Sequence, residues 1–281
     1  MTSYPWLDQV PLWGVFVITA VIVLLSNGQG TLMGKLRRKR PDHESEASLG
    51  TIIGATLALL AFMLAFTFGI ASDRFQMRRQ LLLDDVVAIS TAWVRCGLLM
   101  EPHKSEVRKL LREYVDIRAD LAKGGAAEAA KKFEDAMSRS EALQDQMWSH
   151  AEALAMADRS SEIDALFISS LNELIDVHSR RVTVFRYRIP STIWDVLYCI
   201  TILSMITVGY QAGLAGKSSF KVGLVLALTF ALVILLIADL DRAMEGSLQV
   251  SQQPMYDLQT KMQAYAEPQP PEGTNSGELR E

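Results

Sequence analysis

The chain has 281 residues, of which 49% are hydrophobic and 21% charged, with a formal net charge of −4 and only two cysteines. Both signs of charge are spread through the polar segments, so there is neither a basic stripe for nucleic acid nor an acidic tail. Cys96 and Cys199 supply no disulfide framework and no zinc spacing.

Charge is absent from Gln9 to Gly34, from Leu49 to Ser72, from Val196 to Gly216 and from Val222 to Ala238. Each run is about as long as the roughly 17 to 25 residues a helix needs to cross hydrocarbon. The pattern predicts an all-α integral membrane protein with four transmembrane helices. Residues 1–72 form an N-terminal transmembrane pair, 73–188 a helical extramembrane domain, 189–240 a C-terminal transmembrane hairpin, 241–265 a membrane-proximal segment and 266–281 a disordered tail rich in Pro, Gly and polar residues.

No Lys or Arg precedes the first apolar run, whereas Lys35, Arg37, Arg38, Lys39 and Arg40 follow it. That is the reverse of a signal peptide, so the run is read as a retained anchor. The same basic loop, counted by the positive-inside tendency, places itself in the cytoplasm and the large domain outside.

The second run exits as ALLAFMLAFTFGIASDRFQMRRQ, residues 58–80. Gly54, Ala58, Ala61, Ala65 and Ser72 fall on one stripe and are expected to let another helix approach closely. Phe62, Phe66 and Asp73 share the neighbouring stripe. Repeated around an oligomer axis, such rings could form an apolar constriction, although the same residues could equally face lipid or a neighbouring helix. Arg74, Arg78 and Arg79 at the exit would ring a pore mouth with positive charge, or anchor the helix at the interface by snorkelling.

The middle block carries helical spacing at Leu110, Tyr114, Ile117 and Leu121, then at Phe133, Met137, Met147 and Leu154, then at Ile163, Phe167 and Leu174. Breaks are expected at Glu101-Pro102, Gly124-Gly125 and 158–160, giving about four helices. The stripe of Phe133, Met137, Met147 and Trp148 suits packing within the domain or docking on another chain. Pro190 suits the start of the third membrane helix. The short connection from about Gln211 to Ser219 predicts an antiparallel contact between the third and fourth, with Tyr198 or Thr201 near Thr229 or Val233. Asp239 and Arg242, three apart at the end of the fourth run, are positioned to form a helix-end ion pair.

The segment GLAGKSS, residues 213–219, lacks the first glycine of a phosphate-binding loop and follows a membrane helix, so no nucleotide site is assigned. His43, His103, His150 and His178 are too scattered for a metal pair one helical turn apart, and no serine or cysteine has a recognisable catalytic partner. No cofactor, metal site or enzymatic activity is expected.

LLAFMLAFTFGIASDRF (59–75), RRQLLLDDVVAISTAWVRCGLL (78–99), EVRKLLREYVDIR (106–118), RIPSTIW (188–194) and ADLDRAMEGSLQVSQQPMYDLQ (238–259) follow one another in that order. Together they resemble the bestrophin-like family of bacterial integral membrane proteins, over roughly Leu49 to Gln259. More remotely the plan is similar to that of bestrophins, pentameric anion channels whose second membrane helix supplies rings to the pore neck. There are departures: Ala243-Met244 stands where a proline is expected, and no acidic calcium-clasp run is present. The resemblance implies a homo-oligomeric ion channel of the plasma (inner) membrane, multi-pass, surrounded by membrane lipid, with chloride or another small anion as the conducted species. It also implies an extramembrane domain inside the cell, opposite to the basic-loop count. The alternative is a membrane-anchored scaffold or sensor whose helical domain binds a partner.

Overall fold

The computed structural model describes residues 10–38, 46–121, 126–216, 219–242 and 247–265. Among them it is helical, with no strand: α1 is Leu12–Arg38, α2 Glu46–Cys96, α3 His103–Asp120, α4 Ala126–Ala157, α5 Glu162–Arg186, α6 Ser191–Ala215, α7 Phe220–Asp241 and α8 Gln253–Ala264. Four helical stretches are long and apolar enough to cross a membrane, within Leu12–Arg38, Gly50–Cys96, Glu162–Ala215 and Phe220–Asp241. The sequence-derived tail, the Gly124-Gly125 break and Ala243-Met244 lie outside the described residues, as do Lys39, Arg40 and Lys217.

The chain divides into two compact units, Met1–Arg78 with Thr183–Val250, and Arg79–Val182 with Ser251–Glu281. In the first, α1 is the hub. Its buried face, Val15, Thr19, Val23, Ser26, Gly30 and Gly34, recurs every three or four residues and packs on both α6 and α7. A Cβ on Gly30 would strike the Ile206 carbonyl, and one on Gly209 the Asn27 carbonyl. Gly34 and Gly213 meet the carbonyls of Tyr210 and Thr31 in the same way. The two backbones are thus in direct contact, the close approach that small residues allow where lipid supplies no hydrophobic drive. One further tie joins the pair, a 2.9 Å hydrogen bond between the hydroxyls of Thr19 and Tyr198.

Two expectations are corrected. Among the described residues α6 and α7 make no close approach to each other; each packs on α1 instead. The short connection fixes their order but not their partners, and α1 offers a groove of glycine and threonine that the apolar face of α7 does not. The small-residue stripe of α2 is not a packing face within the chain either. Gly54, Ala58, Ala61 and Ala65 are exposed, while Ile53, Leu60, Leu64, Thr67 and Ala71 point inward. Leu60 and Leu64 join Leu197, Met205 and Ile234 in one core, where they remove more apolar surface than alanines could.

α2 continues unbroken for 51 residues through Asp73 and the arginines. No Gly or Pro pair interrupts residues 73–96, so the arrival of charge changes the surroundings of the helix without ending it. In the second unit the expected breaks at Glu101-Pro102 and at 158–160 fall between helices. Leu110, Tyr114 and Ile117 of α3 are buried, as are Phe133, Met137 and Met147 of α4 and Phe167, Leu171 and Leu174 of α5, so the α4 stripe is spent on packing within this unit. α8 lies on α3 through Met255, Leu258 and Met262, with Gln259 Nε2 donating to Asp116 Oδ1 at 2.7 Å.

Gly30→Ala and Gly213→Ala are expected to push α1 and α6 apart and to cost about 1–3 kcal/mol each, the usual range for overpacking. Gly28→Ala, whose Cβ would meet nothing within 4 Å, should be neutral. Unfolding of the purified protein in mixed micelles, followed for all three variants, measures the contrast.

Candidate functional site

The exposed face of α2 carries the aromatic residues singled out by the sequence. Phe62 is 63% exposed and Phe66 53%. Their rings lie one turn apart and nearly parallel, centroids 6.3 Å apart and planes inclined by 14°. Asp73, two turns further on, is exposed on the same side. These three residues therefore form a continuous outward stripe beside the equally exposed Gly54, Ala58, Ala61 and Ala65.

The three arginines at the helix exit separate. Arg79 is exposed and Arg74 half-buried, whereas Arg78 is buried within the protein. Its guanidinium donates to the Leu240 carbonyl and, at 3.3 Å, to the Asp241 carbonyl. Those carbonyls belong to the last turn of α7, where the helix leaves backbone acceptors without intrahelical donors. Arg188 Nη1 donates to the Asp241 carbonyl as well, at 2.9 Å, and the Asp241 carboxylate accepts the Ile189 N–H at 3.0 Å. Arg74, Arg78 and Arg188 all act electrostatically on Asp241. Arg74 Nη1 is shielded from solvent there and has no hydrogen-bond partner among the described residues.

Asp239 and Arg242, at the end of α7, both bond to neighbouring backbone. Asp239 accepts from the Ser247 N–H at 3.1 Å and from its hydroxyl at 2.6 Å. Arg242 Nη2 donates to the Val10 carbonyl at 2.7 Å, just ahead of α1. Five charged side chains thus satisfy the backbone at one end of the first unit.

A second polar centre lies inside the second unit and was not singled out from the sequence. Asp85 of α2 is fully buried and paired with Arg118 of α3, at 3.2 Å, and with Arg181 of α5. Burial alone would push its carboxyl up, but the two guanidinium charges outweigh that and hold it below the usual carboxylate range. Arg118 also lies over the Tyr114 ring, 5.4 Å from its centroid, and donates to Met137 Sδ. Tyr114 is hydrogen-bonded to His178 Nδ1 at 3.2 Å and accepts from Gln144 Nε2 at 3.2 Å. Burial, then the positive charge of Arg118, lowers His178 to about 4, so its ring is neutral near pH 7; burial pushes Tyr114 up to about 12. The Asp-Asp pair at 84–85 and Arg118 look in sequence like ordinary surface charges on amphipathic helices. Only their places on three converging helices make them a core.

The histidines are less scattered than their numbers suggest. His103, the first residue of α3, and His150, near the end of α4, bring their Nδ1 atoms to 3.0 Å with rings edge to face. Among the described residues no group of three or more His, Cys, Asp or Glu side chains gathers as a metal cluster would.

Two outcomes follow from the buried centre. Asp85→Ala leaves Arg118 and Arg181 uncompensated and is expected to cost about 3–5 kcal/mol, as loss of one partner of a buried pair does; chemical denaturation of the purified protein reads it. Because His178 is lowered from an unfolded value of about 6.5, the unfolded chain takes up the proton first. Its contribution is complete above about pH 6.5 and is lost as the pH falls toward 4. The melting temperature should therefore drop on acidification through this window, and drop less in His178→Gln.

A family profile described as Bestrophin-like domain matches residues 20–255. No curated protein matches the chain. In structure the chain is similar to a bacterial bestrophin homologue from Klebsiella pneumoniae solved by Zn-SAD phasing, at a TM-score of 0.64 and 14% identity, covering 90% of this chain and 99% of that one. A single-substitution form of that homologue matches at a TM-score of 0.65 and 13% identity, again covering 90% and 99%. A structure described as a membrane protein matches at 0.63 and 13%, covering 89% and 97%. At such identities the likeness speaks for the fold alone, whereas the profile spans most of the sequence. The chain belongs to the bestrophin-like family.

Proposed function

We propose that this protein is a homo-oligomeric, multi-pass ion channel of the plasma membrane that conducts small anions, with α2 lining the path. Bestrophins, after which its family is named, are anion channels, and the bacterial homologues share this fold. The observation that carries the reading is the exposed stripe of α2, where the stacked Phe62 and Phe66 precede Asp73 and the arginine corner. Apolar residues on one helix need no special cause in lipid, yet here they continue into ionisable side chains on the same face. Around an oligomer axis, such a face makes a dry ring followed by a wetted, charged mouth.

Each arginine has a distinct part in this reading. Arg78 holds the end of α7 and is structural, whereas Arg74 and Arg79 are available to draw anions toward the opening. The corner carries a surplus of positive charge beside a low-dielectric boundary, where attraction of an anion is strengthened. The exposed alanines and Gly54 flank the phenylalanines and suit close approach by a neighbouring subunit. Within the second unit, the Asp85, Arg118 and Arg181 centre stiffens the packing of that unit's own helices.

In liposomes, the double variant Phe62→Ala/Phe66→Ala should raise anion flux severalfold or blur selectivity, because two large rings per subunit leave the constriction. Arg74→Glu with Arg79→Glu should weaken the preference for chloride over potassium. A protein that assembles into a ring yet conducts identically with Phe or Ala, or in neither form, would overturn the channel reading in favour of a membrane-anchored scaffold.

A further inference from the structure

We propose that His103 and His150 form a binding site for a divalent transition metal of the nickel or copper type, built on the extramembrane unit and independent of the conduction path. The two residues are 47 positions apart and meet because α3 begins where α4 is ending its course against it. Each imidazole presents Nδ1 to the other, and both rings are only half-buried, so a hydrated ion can reach them.

The spacing lets one ion reach both nitrogens with little movement of the rings. With metal–nitrogen bonds of about 2.0–2.1 Å, two ligands at a right angle stand about 2.9 Å apart and two at the tetrahedral angle about 3.3 Å. The observed 3.0 Å fits adjacent positions of a square-planar or tetragonal centre, the arrangement that nickel and copper prefer with nitrogen and oxygen donors. A tetrahedral zinc site would need the rings to open by a few tenths of an ångström.

Without metal, one Nδ1–H donates to the other Nδ1. When metal binds, that proton shifts to Nε2 of the same ring, so both Nδ1 lone pairs become available and the neutral pair loses no proton. No third protein ligand of the His, Cys, Asp or Glu type completes a cluster among the described residues, so water fills the remaining positions. Such a site is open and exchangeable, unlike the closed four-ligand sites that hold folds together. Because His103 opens α3 directly after the turn that leaves α2, a bound ion would pin that turn to α4.

The test uses the full-length protein in detergent, free of any polyhistidine tag, titrated with Ni²⁺ and Cu²⁺ by calorimetry. One ion per chain is expected, and His103→Gln or His150→Gln should each weaken binding by at least about tenfold, since even the loss of an outer-shell partner costs that much. The electron paramagnetic resonance spectrum of the Cu²⁺ form should show coupling to two imidazole nitrogens, and this wild-type readout decides the matter even where a variant fails to fold. His43→Gln serves as the control and should bind as the wild type does. Absence of binding, affinity unchanged in His103→Gln and His150→Gln, or a Cu²⁺ spectrum with fewer than two imidazoles would overturn the site.

Discussion

The backbone contact between α1 and α6 is the constraint on which the membrane unit depends. In lipid, apolar side chains gain little by leaving one apolar neighbour for another, so helices are held by close packing and by polar groups that find partners. Gly30, Gly34, Gly209 and Gly213 supply the closeness, and Thr19 with Tyr198 supplies the polar tie. α7 then docks on the same hub, with Gly223 set against the Asn27 side chain. Given that arrangement, the inward face of α2 is left to fill the remaining space with leucines, and its smaller and aromatic residues are left outside.

The same economy governs the charges at the end of α7. A helix that stops at the edge of hydrocarbon exposes carbonyls that must be satisfied. Arg78 and Arg188 cap them from different segments, while Asp241 turns back to the N–H of Ile189 and Asp239 accepts from Ser247. This corner therefore performs structural work before any question of conduction arises. Around Asp241 the positive charge of Arg74, Arg78 and Arg188 converges, and Arg74 Nη1 has no hydrogen-bond partner among the described residues.

The second unit solves a different problem. Its helices bury apolar area against one another, and the Asp85, Arg118 and Arg181 centre adds directionality that leucines lack. A buried carboxylate with two guanidinium partners accepts few alternative helix registers, and Tyr114, Gln144 and neutral His178 extend the specification across α3, α4 and α5.

Much of this was legible in the sequence. Four charge-free runs of membrane length determined the class, the 3.6-residue rhythm of residues 103–186 determined a helical block, and five ordered motifs pointed to the bestrophin-like family. What a linear pattern carries is the period and length of each element, because these follow from local backbone geometry and from transfer of side chains out of water. It does not carry which faces meet. The small residues of α2 and those of α1 look alike as stripes, yet only the latter find a second stripe of matching pitch on α6. The arginines at 74, 78 and 79 read as one cluster, until α7 ends beside one of them. Asp85, Arg118 and Arg181, like His103 and His150, are brought together from distant positions by the packing of whole helices. Their chemistry was decided only by tertiary structure, since burial and a partner within 3–4 Å depend on three-dimensional proximity that spacing along a single helix does not encode.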